Sequence, residues 1–174
     1  TLELIRREVP SIYLLGGEPT IHHHFKELLA ACRDLDFDVV GVNTNAVRYV
    51  PEILDDANML VASLYSTNPG KVGDSLGLNE LAGQRVISNV TRYAHERDPR
   101  RTQMVVNKVV TGEEGDIDDA YRVANFCSDL GVSFNIAPAI MPDGRPDPRL
   151  IDNPAYQQLI DDLVMDTRLM ACTP

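Results

Sequence analysis

Residues 11–22 read SIYLLGGEPTIH, an apolar run that stops at two glycines before a helical pattern begins. The run Ser11–Leu15 is almost continuously apolar, which is typical of a strand covered on both faces in a parallel sheet. Gly16 and Gly17 allow backbone angles closed to other residues and close approach by a ligand. Glu18 adds a carboxylate, and Pro19 stiffens the exit. The segment predicts a turn at the ligand-binding edge of a sheet, although an ordinary strand-to-helix turn has the same pattern.

The same alternation of strand and helix continues along the chain. Further strand-like runs are Val39–Asn43, Met59–Ser63, Gln103–Val110 and Val132–Pro138. Apolar residues three or four apart predict helices at Ile21–Leu35, Pro51–Asp56, Asn79–Glu96 and Ile117–Leu130, with a last helix from Pro154. Five strands alternating with five helices predict an α/β fold with a parallel sheet. Two long connections, Leu64–Leu78 and Ala139–Asp152, follow strand ends, where parallel folds bind ligands.

The composition fits one domain over residues 1–174 and argues against several classes of protein. Apolar residues make up 44% of the chain, and the net charge is 16 − 26 = −10, which disfavours bulk binding of nucleic acid. No apolar run approaches the roughly 18 residues that a membrane helix needs. The opening Thr1–Pro10 is charged and resembles the tail of a helix rather than a signal peptide. We therefore expect a cytoplasmic protein without a membrane span.

Tyr13–His22, YLLGGEPTIH, resembles the second-strand motif of the radical S-adenosylmethionine (SAM) superfamily, where GGEPTxH is common. Further segments follow in the family's order. Asn43-Thr44-Asn45 is similar to the family's TN(G) motif, with Ala46 in place of the glycine. Ser63 is in the place of the serine of S-(L/I)-D-G, although the DG pair is absent. Asn107 lies in a strand like the family's fifth, and Ala137-Pro138 precedes Met141-Pro142-Asp143-Gly144, which is similar to the end of the family's last strand. The match extends from Ser11 to about Asp152.

The resemblance implies a parallel-sheet, partial TIM-like barrel of (β/α)6 type with the first strand missing. In that family the backbone at GGEP holds the amino group of the SAM methionine. The implied cofactor-binding residues are Gly16, Gly17, Glu18, Pro19, Asn43, Thr44, Asn45, Ser63, Asn107, Ala137 and Pro138. The intact enzyme would use a [4Fe–4S] cluster to cleave SAM, and the 5′-deoxyadenosyl radical would abstract hydrogen from its substrate. An electron donor such as flavodoxin or ferredoxin is implied as a partner.

The CxxxCxxC loop that holds the family's cluster is absent from this sequence. Cys32 and Cys127 fall on the apolar stripes of predicted helices, and Cys172 is near the C-terminus. We expect the cluster loop and first strand to lie upstream of Thr1, with a cluster-free relative as the alternative. The chain as given is then expected to bind no cluster, to be inactive, and to self-associate through the open edge of Ser11–Leu15.

The remaining candidates are charged residues in loops and at helix starts. Lys71 and Arg145, in the two long connections, are the substrate-binding candidates, because cations at a ligand-binding face can meet a carboxylate or phosphate. Arg149 is a weaker candidate of the same kind. We interpret His22–His24 as the polar first turn of a helix rather than a metal site. Asp116, Asp118 and Asp119 suit the positive end of a helix dipole.

Two functions remain open from the sequence. The first is a radical SAM enzyme, an oxidoreductase or transferase acting on a small molecule or a peptide. The second is a non-catalytic or cluster-free α/β domain that binds a nucleotide or an anion at the same strand ends. The second is weakened by the absence of a phosphate-binding loop of the GxGxxG or GxxxxGK[ST] type.

Overall fold

Strands and helices alternate in the computed structural model, which describes residues 1–165. The strands are β1 Ser11–Leu14, β2 Val39–Thr44, β3 Met59–Ser63, β4 Gln103–Val110 and β5 Ser133–Pro138. The helices are α1 Leu2–Glu8, α2 Phe25–Asp34, α3 Glu52–Asp56, α4 Pro69–Ser75, α5 Glu80–Glu96, α6 Asp116–Leu130 and α7 Pro154–Met165. A short 3-10 turn, Pro19–Ile21, lies between β1 and α2.

The strands form one parallel sheet in the order β1-β2-β3-β4-β5. Tyr13 is in register with Gly41, and Gly41 with Met59. The predicted α/β fold is therefore confirmed, and the sheet is not closed, as a partial barrel requires. Within residues 1–165, no helix has both the length and the apolar character needed to cross a membrane.

The chain forms two compact units. The first unit contains Thr1–Ser63 and Arg85–Val105, and the second contains Leu64–Gln84 and the chain from Val106 onward.

In the first unit, the two faces of the sheet are packed differently. Val40 and Val42 are buried on the face that α2 contacts. On the other face the Tyr13 ring crosses Gly41, where a Cβ atom would come within 2.3 Å of the ring, and the Tyr13 hydroxyl donates to Met59 Sδ at 3.2 Å. Gly41 is therefore the residue that leaves room for Tyr13.

In the second unit, the core lies between β4, α6 and α7. Its buried members are Val110, Ala120, Leu150 and Leu159. Asn153 caps α7, because its Oδ1 accepts from the backbone N–H of Ala155 at 3.0 Å. Gly131 ends α6 in the left-handed conformation, which glycine adopts readily.

Two elements differ from the sequence prediction. The predicted connection Leu64–Leu78 contains helix α4, which packs closely against the chain that follows it. A Cβ atom at Gly73 would lie 2.4 Å from the Asn79 carbonyl oxygen, and one at Gly83 would lie 1.9 Å from that of Pro69. The predicted helix Ile21–Leu35 begins only at Phe25, because Glu18 caps the 3-10 turn that precedes it.

Candidate functional site

The turn after β1 leaves two glycines with open space around them. Gly16 has φ +98° and Gly17 has φ +43°, and an added Cβ atom at either would meet no atom within 4 Å. Within residues 1–165, no hydrogen bond reaches the backbone N–H or C=O of either glycine. These backbone groups are therefore available to a ligand. We call residues 16–17 the glycine cradle.

The Glu18 side chain forms hydrogen bonds within its own chain. Its Oε1 accepts from Thr20 N at 3.1 Å, from Thr20 Oγ1 at 2.5 Å and from Thr44 Oγ1 at 2.7 Å. Its Oε2 accepts from Asn45 N at 2.7 Å. The carboxylate thus joins the turn after β1 to the end of β2, and we call this set of bonds the Glu18 clamp.

The chain after β2 continues the same network. Thr44 is buried, and its Oγ1 also accepts from Ala46 N at 3.1 Å. Asn45 Oδ1 accepts from Val47 N at 3.0 Å, and Arg48 donates to the Thr20 carbonyl oxygen at 3.1 Å. The Thr44 hydroxyl and the Asn45 amide oxygen are therefore engaged within the protein.

A cavity of about 480 Å³ lies beside the glycine cradle. It is lined by residues 16–19, and its apolar walls include Leu15 and Ile21, which are 65% and 71% exposed. The cavity also reaches Tyr13 and His22. The arrangement suits a ligand that has a charged end for the cradle and an apolar part for the walls.

The other predicted residues of the first unit lie at strand ends. Asn43 is exposed near the end of β2, and Ser63 is the half-buried last residue of β3. Within the part of the chain that the structure describes, no hydrogen bond joins either side chain to the Glu18 clamp. The structure therefore brings together Glu18, Thr44 and Asn45, and leaves Asn43 and Ser63 separately available.

In the second unit, Asn107 has a partner that the sequence did not indicate. The Asn135 side chain on β5 donates to Asn107 Oδ1 on β4 at 2.6 Å. The Asn107 carbonyl oxygen accepts from Leu64 N at 3.0 Å, at the chain that follows β3. Ala137 and Pro138 are the half-buried last residues of β5. The side-chain amides of Asn107 and Asn135 thus lie next to each other on two strands. The sequence does not indicate this pair, because it does not give the register of the strands.

The two substrate candidates differ in availability. Lys71 donates to the buried carboxylate of Asp119, which also pairs with Arg122 at 2.7 Å. Burial disfavours ionisation of Asp119, but the hydrogen bonds from Lys71 and Arg122 outweigh it and lower the pKa of this carboxyl. Arg145 lies in an exposed turn, where its backbone N–H donates to Asp143 Oδ1 at 3.0 Å. Arg145 therefore keeps its guanidinium at the surface, whereas the Lys71 ammonium has an internal partner.

Arg149 pairs with its own loop. Its guanidinium donates to both oxygens of the buried Asp147, and Gly112 N donates to Asp147 Oδ2 at 3.0 Å. The Arg149 bond, followed by the Gly112 bond, holds the pKa of Asp147 well below its ordinary value. This pair fastens the connection after β5 to the turn after β4.

Lys108 was not singled out from the sequence, yet it is the most buried cation that the structure describes. Its side chain is 1% exposed, and its Nζ donates to Asp116 Oδ1 at 2.5 Å and to the Tyr65 carbonyl oxygen at 2.8 Å. Asp116 also accepts from Thr111 N at 2.6 Å. Asp116 and Asp119 thus bind cations as well as standing at a helix start.

The histidines are not arranged as the sequence predicts. His22 ends the 3-10 turn, His24 caps α2, and the rings of His22 and His23 stack with centroids 4.7 Å apart. Within residues 1–165, no group of three or more His, Cys, Asp or Glu side chains is placed to hold a metal ion.

Cys32 and Cys127, the two cysteines among the described residues, are buried in different helices. Cys32 on α2 and Cys127 on α6 are fully buried, and burial raises the pKa of both thiols, that of Cys127 to about 12. Cys172 lies outside the described residues. Because cluster ligands are grouped thiolates, Cys32 and Cys127 do not fit a [4Fe–4S] cluster.

Comparison with solved structures identifies the fold. Streptococcus suis SuiB bound to S-adenosylmethionine matches with a TM-score of 0.68 and 23% identity, over 93% of this chain and 38% of that chain. A domain of pyruvate-formate lyase-activating enzyme from Bacteroides vulgatus ATCC 8482 matches with a TM-score of 0.63 and 16% identity, over 88% of this chain and 92% of that one. Archaeal TYW1 matches with a TM-score of 0.60 and 16% identity, over 88% of this chain and 49% of that one.

These matches, all below 25% identity, show that this chain shares the fold of the three proteins, in agreement with the fold that the sequence resemblance implies. The chain spans 38% of the length of SuiB and 49% of that of TYW1. Comparison with family models and with curated proteins found no match.

Proposed function

We propose that this chain is the SAM-binding core of a radical SAM enzyme, with the methionine end of SAM at the glycine cradle. The observation that carries the proposal is the cradle itself. It combines two positive-φ glycines, unengaged backbone groups and an adjacent cavity of about 480 Å³. The glycine cradle lies directly after β1, where the sequence reads GGEP. The fold of the chain matches that of SuiB bound to S-adenosylmethionine.

The chemistry of the cradle suits an amino acid. Backbone C=O groups can accept from an ammonium group, and backbone N–H groups can donate to a carboxylate. Neither glycine has a side chain that would occupy the space above the backbone, so both groups can be approached closely. The apolar walls at Leu15 and Ile21 suit the uncharged part of the ligand.

The other residues implied by the resemblance complete the proposal. In the first unit these are Asn43 and Ser63, whose side chains remain available at strand ends. In the second unit they are Asn107, Ala137 and Pro138, for which a cofactor role is proposed from the resemblance alone. Arg145 is the proposed contact for an anionic group of a small-molecule or peptide substrate, and Lys71 would serve only by leaving Asp119.

The described residues are assigned no part in holding a cluster, because Cys32 and Cys127 are buried on separate helices. In enzymes of this class, bound SAM supplies the radical that abstracts hydrogen, and an electron donor such as flavodoxin or ferredoxin is the proposed partner. The protein residues bind the cofactor, orient it and limit the access of water. We place this activity in the cytoplasm.

Calorimetric titration of the 174-residue chain with SAM and with S-adenosylhomocysteine tests the proposal. We expect binding of both, and a loss of at least about tenfold in Gly16→Ala, because the new methyl group enters the cradle and strains a positive-φ position. Gly77→Ala is the matched control, since Gly77 also has a positive φ of 65° and open space at its Cβ position.

An unmodified chain that binds neither compound would overturn the proposal. A chain that instead binds ATP or inorganic phosphate would support the alternative, a cluster-free nucleotide- or anion-binding domain.

A further inference from the structure

We propose that Glu18 is a positioning residue, which holds the glycine cradle in its binding shape without contacting the ligand. The inference rests on the proposed function, because it assigns a role within the same site. It concerns a carboxylate that lies directly after the two glycines and that the sequence resemblance counts among the cofactor-binding residues.

The acceptor capacity of Glu18 is the first argument. An ionised carboxylate has about four lone-pair positions. Glu18 accepts four hydrogen bonds, from two backbone N–H groups and two hydroxyls, all within its own chain. Three of these bonds are at Oε1 and one is at Oε2, so a ligand ammonium could reach only the second lone pair of Oε2 without displacing a donor.

The position of the donors is the second argument. Thr20 lies two residues after Glu18, whereas Thr44 and Asn45 lie 26 and 27 residues further along the chain. Glu18 thus directly links the turn after β1 to the end of the neighbouring strand β2, and Arg48 adds a second bond between these segments. Gly16 and Gly17 have no hydrogen bonds of their own in the described chain, so their shape depends on what fixes the next residue.

The kind of donor makes glutamate difficult to replace. Each carboxylate oxygen faces one backbone N–H, Thr20 N at Oε1 and Asn45 N at Oε2. A backbone N–H cannot turn into an acceptor. A glutamine in either orientation would therefore set its own NH2 group against an N–H, and an aspartate, one methylene shorter, would not span both donors.

The test compares Glu18→Gln and Glu18→Asp with Glu27→Gln, an exposed glutamate on α2 that gives the same change of charge. Hydrogen exchange in the ligand-free chain is measured first. In both Glu18 variants we expect faster exchange at residues 20 and 45, whose backbone N–H groups donate to Glu18, with the thermal midpoint recorded to separate local opening from global unfolding.

Titration with S-adenosylhomocysteine is measured next. Both Glu18 variants should bind at least about tenfold more weakly than the unmodified chain. Because Glu18 acts through Thr44, adding Thr44→Val to Glu18→Gln should weaken binding far less than the sum of the two single changes. A general loss of stability would not produce this coupling.

One pattern would overturn the inference and leave the proposed function intact. If Glu18→Asp bound like the unmodified chain while Glu18→Gln did not, the negative charge itself would be what the ligand recognises. Unchanged exchange at residues 20 and 45 would equally overturn it. If the unmodified chain bound no S-adenosylhomocysteine, the proposed function would fail first, and the role of Glu18 in it would fail with it.

Discussion

The buried pair of Lys108 and Asp116 gives a quantitative prediction about stability. Lys108→Met removes the cation but leaves a side chain of similar length. Lys108 is 1% exposed and Asp116 18% exposed, so the change leaves a largely buried carboxylate without its counter-ion. Breaking one side of a buried pair costs about 3–5 kcal/mol.

The expected loss lies at the lower end of that range. Asp116 keeps its bonds from Thr111 N and Thr111 Oγ1, at 2.6 and 3.1 Å, and is partly reached by solvent. We therefore expect the free energy of unfolding to fall by about 3 kcal/mol. For a chain of this size, that corresponds to a fall of about 6–12 °C in the thermal midpoint.

The assay is urea unfolding followed by circular dichroism. Lys26→Met is the matched control, because Lys26 pairs with Glu52 at the surface, with 51% of its side chain exposed, and such pairs contribute less than about 1 kcal/mol. Adding Asp116→Asn to Lys108→Met should recover part of the loss, since the unpaired charge is then removed. A Lys108→Met chain within about 0.5 kcal/mol of the unmodified one would refute the reasoning.

Two further predictions concern packing and acid. Gly41→Ala should lower the free energy of unfolding by about 1–3 kcal/mol, because its methyl group meets the Tyr13 ring. In a chain that already carries Tyr13→Ala, the same change should cost much less, because the ring is gone. If the effects of the two changes on the free energy of unfolding were additive, this explanation would be wrong. The pKa of Asp147 is lowered, so its carboxylate stabilises the fold above about pH 4 and this stabilisation is lost as the pH falls further. Asp147→Asn should therefore make the free energy of unfolding depend less steeply on pH in the acid range. An unchanged dependence would contradict this prediction.

The strands were predictable from the sequence because their evidence is local. Met59–Ser63 and Gln103–Val110 were predicted with their observed bounds, since apolar runs between turn residues reflect burial on both faces. Helix α4, in contrast, contains Gly70 and Gly73, which disfavour helix formation. It is accompanied by close contacts at Gly73 and Gly83, and such tertiary contacts leave no periodic pattern in the sequence.

The glycine cradle was likewise found from a local motif, whereas its support was not. Glu18 has partners 26 and 27 residues away, and Lys71 pairs with Asp119 at a separation of 48 residues. No spacing rule indicates such pairs, because they depend on which strand ends and helix starts meet. The sequence therefore located the candidate binding residues more readily than it distinguished those that face a ligand from those that hold the chain in shape.

Lys108 also makes the chain suitable for chemical labelling. The sequence contains three lysines, Lys26, Lys71 and Lys108, and the first two are about half exposed. Amine-reactive reagents should therefore modify those two in the native protein and reach Lys108 only when its surroundings open. Mass spectrometry of the peptide carrying Lys108 would then report opening of the second unit, with no introduced dye and no sequence change.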